Sequence, residues 1–274
     1  NRGKSWEVIS EDLPERHLVW RVVQDDVDED LLFAATEFGL FFTVDGGEEW
    51  MELKGGAPTI AFRDVTLQRE HDDVVAASFG RGFFILDNYA PLREVDEAAL
   101  EQEAKLFNTR KAFWFHPDNV EDSQGASHWT AENPPFGAIF TYYLEEGMQT
   151  MKDKRQQRER ELDKDEDVPF PGWDSLETEM QQQRPRVFVT VLDNQGNVVR
   201  KVDGPTTAGF HRINWDLEYP NKDVVELDDR GGWFSGGFMA IPGTYRAYLS
   251  KMKDGNVTIL SDTISFEVVP LQEN

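Results

Sequence analysis

The sequence predicts an all-β chain: a partial β-propeller of four-stranded antiparallel blades, followed by a β-sandwich with a helical insertion. Three observations carry that prediction. Segments 32–45 (LFAATEFGLFFTVD) and 74–87 (VVAASFGRGFFILD) are near copies 42 residues apart. Short runs rich in β-branched and aromatic residues recur along the chain without a 3.6-residue period. From residue 136 onward, alternating segments are separated by Gly-, Asn- and Pro-containing turns.

In the repeat, Ala34-Ala35, Phe41-Phe42 and Asp45 fall opposite Ala76-Ala77, Phe83-Phe84 and Asp87. Upstream, VWRVV (19–23) falls over AFRDV (61–65), so that Arg21 faces Arg63. NRGKSW (1–6) matches DGGEEW (45–50), bringing Asn1, Gly3 and Trp6 over Asp45, Gly47 and Trp50. The middle unit reads as strands at about 18–24, 31–36, 39–44 and 49–53. A period of 40–45 residues holding four strands is that of a propeller blade. Two blades and the last strand of another cannot close a ring. The expectation is therefore a C-terminal part of a longer protein, or blades supplied by another chain. Asn1 falls inside a turn copy, which favours the former.

After Asp87 the pattern changes. PLREV (91–95) reads as a closing strand, a helical turn follows near 96–103, and RKAFWFHP (110–117) reads as a connector strand. FGAIFTYYL (136–144) alternates as a sandwich strand. Residues 146–184 are charged and rich in helix formers, a helical excursion whose second helix opens at Asp174-Ser175 as cap. Its apolar positions do not form heptads, which excludes a coiled coil. RVFVTVLDNQGNVVRKV (186–202) is a hairpin, followed by GFHRINWDL (209–217), PGTYRAYLSKM (242–252) and ILSDTISFEVVP (259–270). The domains are then 1–95 (blades), 96–135 (linker and connector strand) and 136–274 (sandwich with the insertion at about 146–184).

Composition excludes several functions. The chain has 274 residues and a formal net charge of −24, with 28 Lys and Arg against 52 Asp and Glu. That balance disfavours nucleic acid and anionic membranes, whose phosphates need a basic stripe, and suits solubility under salt. No apolar run reaches the roughly 18 residues of a membrane span, so no membrane insertion is expected. With no cysteine, disulfides, thiolate metal sites and thiol nucleophiles are absent.

Thr43-Asp45-Gly47-Trp50 resembles the Asp-box, or bacterial neuraminidase repeat, between the last two strands of many propeller blades. Asn1, Gly3 and Trp6 match part of it, and Asp87-Asn88 reads as a decayed copy. A short carboxylate accepts from backbone N–H groups two residues on, glycine permits positive φ, and an indole plugs the gap between sheets. Asp45 therefore reads as a turn clamp, not a catalytic acid. The order of hairpin, Trp215-Asp216, Pro-Gly-Thr-Tyr245 and terminal strand resembles the immunoglobulin-like module of flagellar-hook capping proteins, which makes Trp215 and Tyr245 core or corner residues. As a whole the chain resembles the C-terminal third of sortilin-type or photosystem-assembly-type propeller proteins of bacteria. The resemblance implies an exported protein, periplasmic or extracellular.

No catalytic set emerges from the residues. A glycosidase needs two carboxylates at controlled separation, and a sialidase adds an arginine cluster and a Tyr-Glu pair. Arg21, Glu37, Arg63 and Arg81 are the candidates for binding on a propeller face, with inter-blade salt bridging as the structural alternative. The histidines show no metal-site spacing. Asp163, Asp165 and Asp167 begin like a calcium loop, but Val168 stands where the sharp-turn glycine belongs, so no metal is expected. GGWFSGGF (231–238) lacks the strand-to-helix switch of a phosphate loop and reads as a buried anchor or an exposed aromatic loop. No cofactor is implied. The expected function is a non-catalytic binding or scaffolding segment, its partners being an upstream propeller domain of the same protein and a glycan or protein ligand. Alternatives are the accessory end of a sialidase-like glycoside hydrolase and an assembly or sorting chaperone.

Overall fold

The computed structural model describes residues 3–117, 133–162, 167–220 and 237–271. The chain is all-β and divides into two units, Asn1–Ala99 and Leu100–Asn274.

In the first unit, β1 (Val19–Gln24), β2 (Leu32–Thr36), β3 (Gly39–Thr43) and β4 (Met51–Glu52) form one antiparallel sheet in chain order. The second sheet has three strands, β5 (Phe62–Gln68), β6 (Asp73–Ser78) and β7 (Gly82–Leu86). The closing strand expected at 91–95 is instead a 3₁₀ helix, Ala90–Glu94. Buried Pro91 sits in its first turn, where a missing N–H costs nothing and a fixed φ favours a helical start. A short helix, α1 (Glu97–Leu100), follows.

Alternation along the strands splits each sheet into two faces. Phe33, Ala35 and Leu40 of the first sheet pack against Phe62, Val65, Val74 and Ala76 of the second, with Tyr89 completing the cluster. The other face of the first sheet, Leu32, Ala34, Phe41 and Trp50, gathers Leu13 and Val19. Each fully buried Phe or Leu here contributes roughly 1.5–3 kcal/mol.

Strand pairing corrects the sequence register, and each sheet carries a one-residue bulge. Val19 pairs with Thr36 but Arg21 with Ala35, and Phe62 pairs with Ser78 but Asp64 with Ala77. Trp20 and Arg63 are the extra residues, so the counterpart of Arg21 is Asp64, not Arg63. The β2–β3 turn has two residues between Thr36 and Gly39, and the β6–β7 turn three between Ser78 and Gly82. The second sheet is thereby displaced by one residue: Phe83 stands where Leu40 does, and Asn88 (φ 50°) rather than Asp87 where Asp45 does.

The second unit begins earlier than the sequence suggests. β8 (Ala104–Leu106) pairs with β10 (Ala138–Leu144), and β9 (Ala112–Trp114) runs parallel to the last strand, β16 (Ile264–Pro270). Both lie in the stretch read as linker and connector. Between β10 and the next strand come α2 (Met151–Glu161) and α3 (Trp173–Gln181). Then follow β11 (Arg186–Leu192), β12 (Val198–Gly204), β13 (Gly209–Trp215), β14 (Gly243–Lys253) and β15 (Asn256–Ile259). One sheet has the order β13-β10-β8 and the other β12-β11-β14-β16-β9, with β15 on β14. Together they enclose an immunoglobulin-like sandwich core that includes Phe140, Tyr142, Val189, Trp215, Tyr245 and Phe266. Tyr245 donates its hydroxyl to the carbonyl of Ile241, 2.7 Å away and four residues upstream, a tyrosine corner.

Thr150 and Asp153 form a reciprocal capping box at the start of α2. α3 begins after Gly172 (φ 86°) with no side-chain cap, so Asp174-Ser175 lie inside the helix rather than capping it. Neither helix buries a residue. Arg155 joins them through a forked pair with Glu179 at 2.8 and 3.0 Å. Among the described residues no helix is long and apolar enough to cross a membrane.

Candidate functional site

The candidate residues separate to the two ends of the first unit's sheets. At the β3–β4 end, Asp45 accepts from the backbone N–H groups of Gly47 (3.3 Å), Glu48 (2.9 Å) and Glu49 (3.1 Å) and from the Thr43 hydroxyl at 2.5 Å. Thr43 in turn accepts from the N–H of Gly47 at 3.0 Å. Partial burial raises the Asp45 pKa, but these donors outweigh it and leave the carboxyl below its ordinary value. Its lone pairs are committed to the turn. Gly47 has φ 103°, and a Cβ there would approach Ile9 Cβ to 2.8 Å, so only glycine fits. Trp50 is buried, its indole N–H donating to the carbonyl of Ile9 at 2.6 Å.

The N-terminal copy of the motif behaves differently. Gly3 has φ 75°, but Trp6 is 91% exposed and plugs no gap. Asn1 lies outside the described residues, as do Asp163, Asp165 and 231–236 of the Gly-rich loop.

At the same end lies a buried ionic network that sequence reading missed. Asp25 accepts from Tyr89 Oη at 2.6 Å and from Arg93 Nε and Nη2 at 2.6 and 2.8 Å; Arg93 Nη2 also reaches Asp72 at 2.6 Å. Burial raises the Asp25 pKa, yet the bonds from Arg93 and Tyr89 hold it well below the carboxylate range. Burial and the same carboxylate push the Tyr89 phenol up. The three groups come from 25, 72 and the 89–93 turn, residues of no shared motif, so only the fold reveals them. Their committed hydrogen bonds make this a staple between the two sheets.

The opposite end is where the exposed candidates meet. The two bulge residues stack: the Arg63 guanidinium lies 3.8 Å from the centroid of Trp20 and 5.2 Å from that of Phe79. Trp20 Nε1 donates to Glu37 at 3.0 Å, and Arg21 stands 3.7 Å from Asp64, an exposed pair of little energetic weight. The hairpin tips are tied down beside the bulges, through Glu37 N to the carbonyl of Leu18 (2.9 Å) and Phe79 N to that of Ala61 (2.8 Å). Trp20, Phe38 and Phe79 are exposed by 39, 47 and 69%. Arg81 lies on the same β6–β7 tip, exposed. The structure thus brings Glu37, Arg63 and, through Asp64, Arg21 to one end. It adds Trp20 and Phe79, whose rings lie against the Arg63 guanidinium. Arg63 makes no hydrogen bond or ion pair among the described residues, leaving its N–H edge open.

Among the described residues no group of three or more His, Asp or Glu is placed to hold a metal ion. In the second unit a groove between α2 and α3 is lined by Met148, Trp173, Leu176 and Met180, with Arg155 and Glu179 paired within it.

No protein-family model matches the chain, and no curated protein matches it. Solved structures similar to it include the extracellular domains of two B. thetaiotaomicron proteins named as hybrid two-component systems. One match is 8% identical over 92% of this chain, with a TM-score of 0.23; the other is 10% identical over 93%, with a TM-score of 0.22. In each case the chain spans 26% of the length of the matched protein.

Proposed function

We propose that this chain is a non-catalytic binding and scaffolding segment of an exported multidomain β-propeller protein. In that reading the Thr43–Trp50 turn is an Asp-box that locks a blade, and ligand is taken at the opposite end by Trp20, Glu37, Arg63 and Phe79. One observation carries it: a guanidinium 3.8 Å from the Trp20 centroid and 5.2 Å from that of Phe79, both rings exposed, with no partner for its N–H fork among the described residues. A guanidinium held over an aromatic face keeps directional donors at its rim, suited to a glycan or to protein carbonyls and carboxylates.

The test is retention of the 274-residue chain on an array of neutral and acidic glycans and of peptides, beside hydrolysis of fluorogenic sialosides and glucosides. Retention lost in Trp20→Ala and Arg63→Ala, with every fluorogenic substrate dark, is the expected result. Release of fluorophore, or retention indifferent to both substitutions, would overturn the reading.

A further inference from the structure

We propose that the uncovered face of the β5–β7 sheet is a docking surface for a further antiparallel sheet of the same repeat, contributed by the same polypeptide. The inference rests on the propeller-segment reading above and names the partner of one of its surfaces.

The chain already packs one copy of this repeat on another. With bulge and hairpin register applied, Val75, Ala77, Phe83 and Ile85 occupy the positions of Phe33, Ala35, Leu40 and Phe42. In the first sheet that face is the one the second sheet covers: Phe33, Ala35 and Leu40 are 2, 0 and 4% exposed. The second sheet covers it with its reverse face, Val74, Ala76, Phe84 and Leu86. The forward face of the second sheet is likewise apolar, with Val75 and Ala77 on the middle strand and Phe83 and Ile85 on the next. Yet Phe83 is 73% and Ile85 60% exposed.

A soluble protein spends little sequence on large apolar side chains facing water along a regular strand. The edge repeats the message. β3 is flanked by β4, whereas β7 has no outer neighbour among the described residues, and an open apolar edge is a pairing template. The fitting occupant presents a face like Val74, Ala76, Phe84 and Leu86, stacked at about the usual 10 Å.

A second copy of the chain is a poorer occupant. The equivalent reverse face of its first sheet is already closed by Leu13 and by the Trp50–Ile9 contact. A net charge of −24 also opposes self-association.

The absence of cysteine makes the test direct. Phe83→Cys and Ile85→Cys are introduced singly, both in the 274-residue chain and in the polypeptide as translated from its gene, and maleimide labelling rates are measured under native conditions. Val198→Cys, on the exposed edge of β12, serves as control. The expected result is rapid labelling in the 274-residue chain and at least a tenfold slower rate in the translated polypeptide, with a monomeric mass by light scattering. Equal rates would overturn the proposal. Protection accompanied by a doubled mass would overturn it too, by assigning the face to a second copy. Neither failure touches ligand retention by Trp20 and Arg63, so the two readings fall separately.

Discussion

Trp50 donates its indole N–H to the main-chain carbonyl of Ile9 across 2.6 Å, while its own backbone N–H is held by the Asp12 carboxylate at 2.9 Å. The tryptophan of the turn is therefore seated on the segment preceding β1, and Gly47 lets that segment approach. Trp50→Ala should cost about 3–5 kcal/mol by opening a cavity against Leu32, Ala34 and Phe41. Urea unfolding checks the loss. Faster proteolysis near residues 9–13 checks its cause.

Asp25 gives a signed prediction for pH. Its folded pKa lies below that of the unfolded chain, so its stabilising effect is complete above the unfolded value, near 4. That effect fades as pH falls from there through the folded value. Thermal midpoints should drop between about pH 5 and 2, and Asp25→Asn should flatten that drop while lowering stability at pH 7. Arg93→Ala, which leaves a buried carboxylate unpaired, should cost about 3–5 kcal/mol at neutral pH.

How far this was legible from sequence depends on the range of the interactions. The Asp45 turn was readable because its bonds reach only two to four residues along the chain, and spacing records them. The strands were readable from alternation and Gly-containing turns. The bulges at Trp20 and Arg63 were not: one extra residue in a strand leaves composition unchanged but rotates every later side chain. Arg21 was matched to Arg63 for a different reason: the connection from Leu67 to Val74 is one residue shorter than its counterpart from Gln24 to Leu32, which a fixed 42-residue offset does not register. β9 was read as a connector because it has three residues and its partner, β16, lies some 150 residues away. The Asp25–Arg93–Asp72 network hid for the same reason.

Gly137 offers a prediction for the sandwich. It has φ 110°, and a Cβ there would sit 1.9 Å from the Trp215 carbonyl oxygen. Gly137→Ala should therefore destabilise the second unit by more than about 2 kcal/mol. Loss of near-ultraviolet dichroism from buried Trp215 and Tyr245 would report it.

The α2–α3 pair should behave as an independent, weakly held element. Neither helix buries a side chain, and helices of this length are marginal alone. Arg155→Ala should speed amide exchange in both helices and leave the thermal midpoint of the sandwich within about 1 °C.

Asp45 is spent on its own turn. The decisive measurement is the urea unfolding free energy of Asp45→Ala beside that of Arg63→Ala. We expect a loss of about 1–2 kcal/mol for the former, as for removal of a helix-capping carboxylate, and less than about 1 kcal/mol for the latter. An Asp45→Ala protein as stable as the parent, but unable to bind its ligand or newly deprived of a hydrolytic activity, would contradict that assignment.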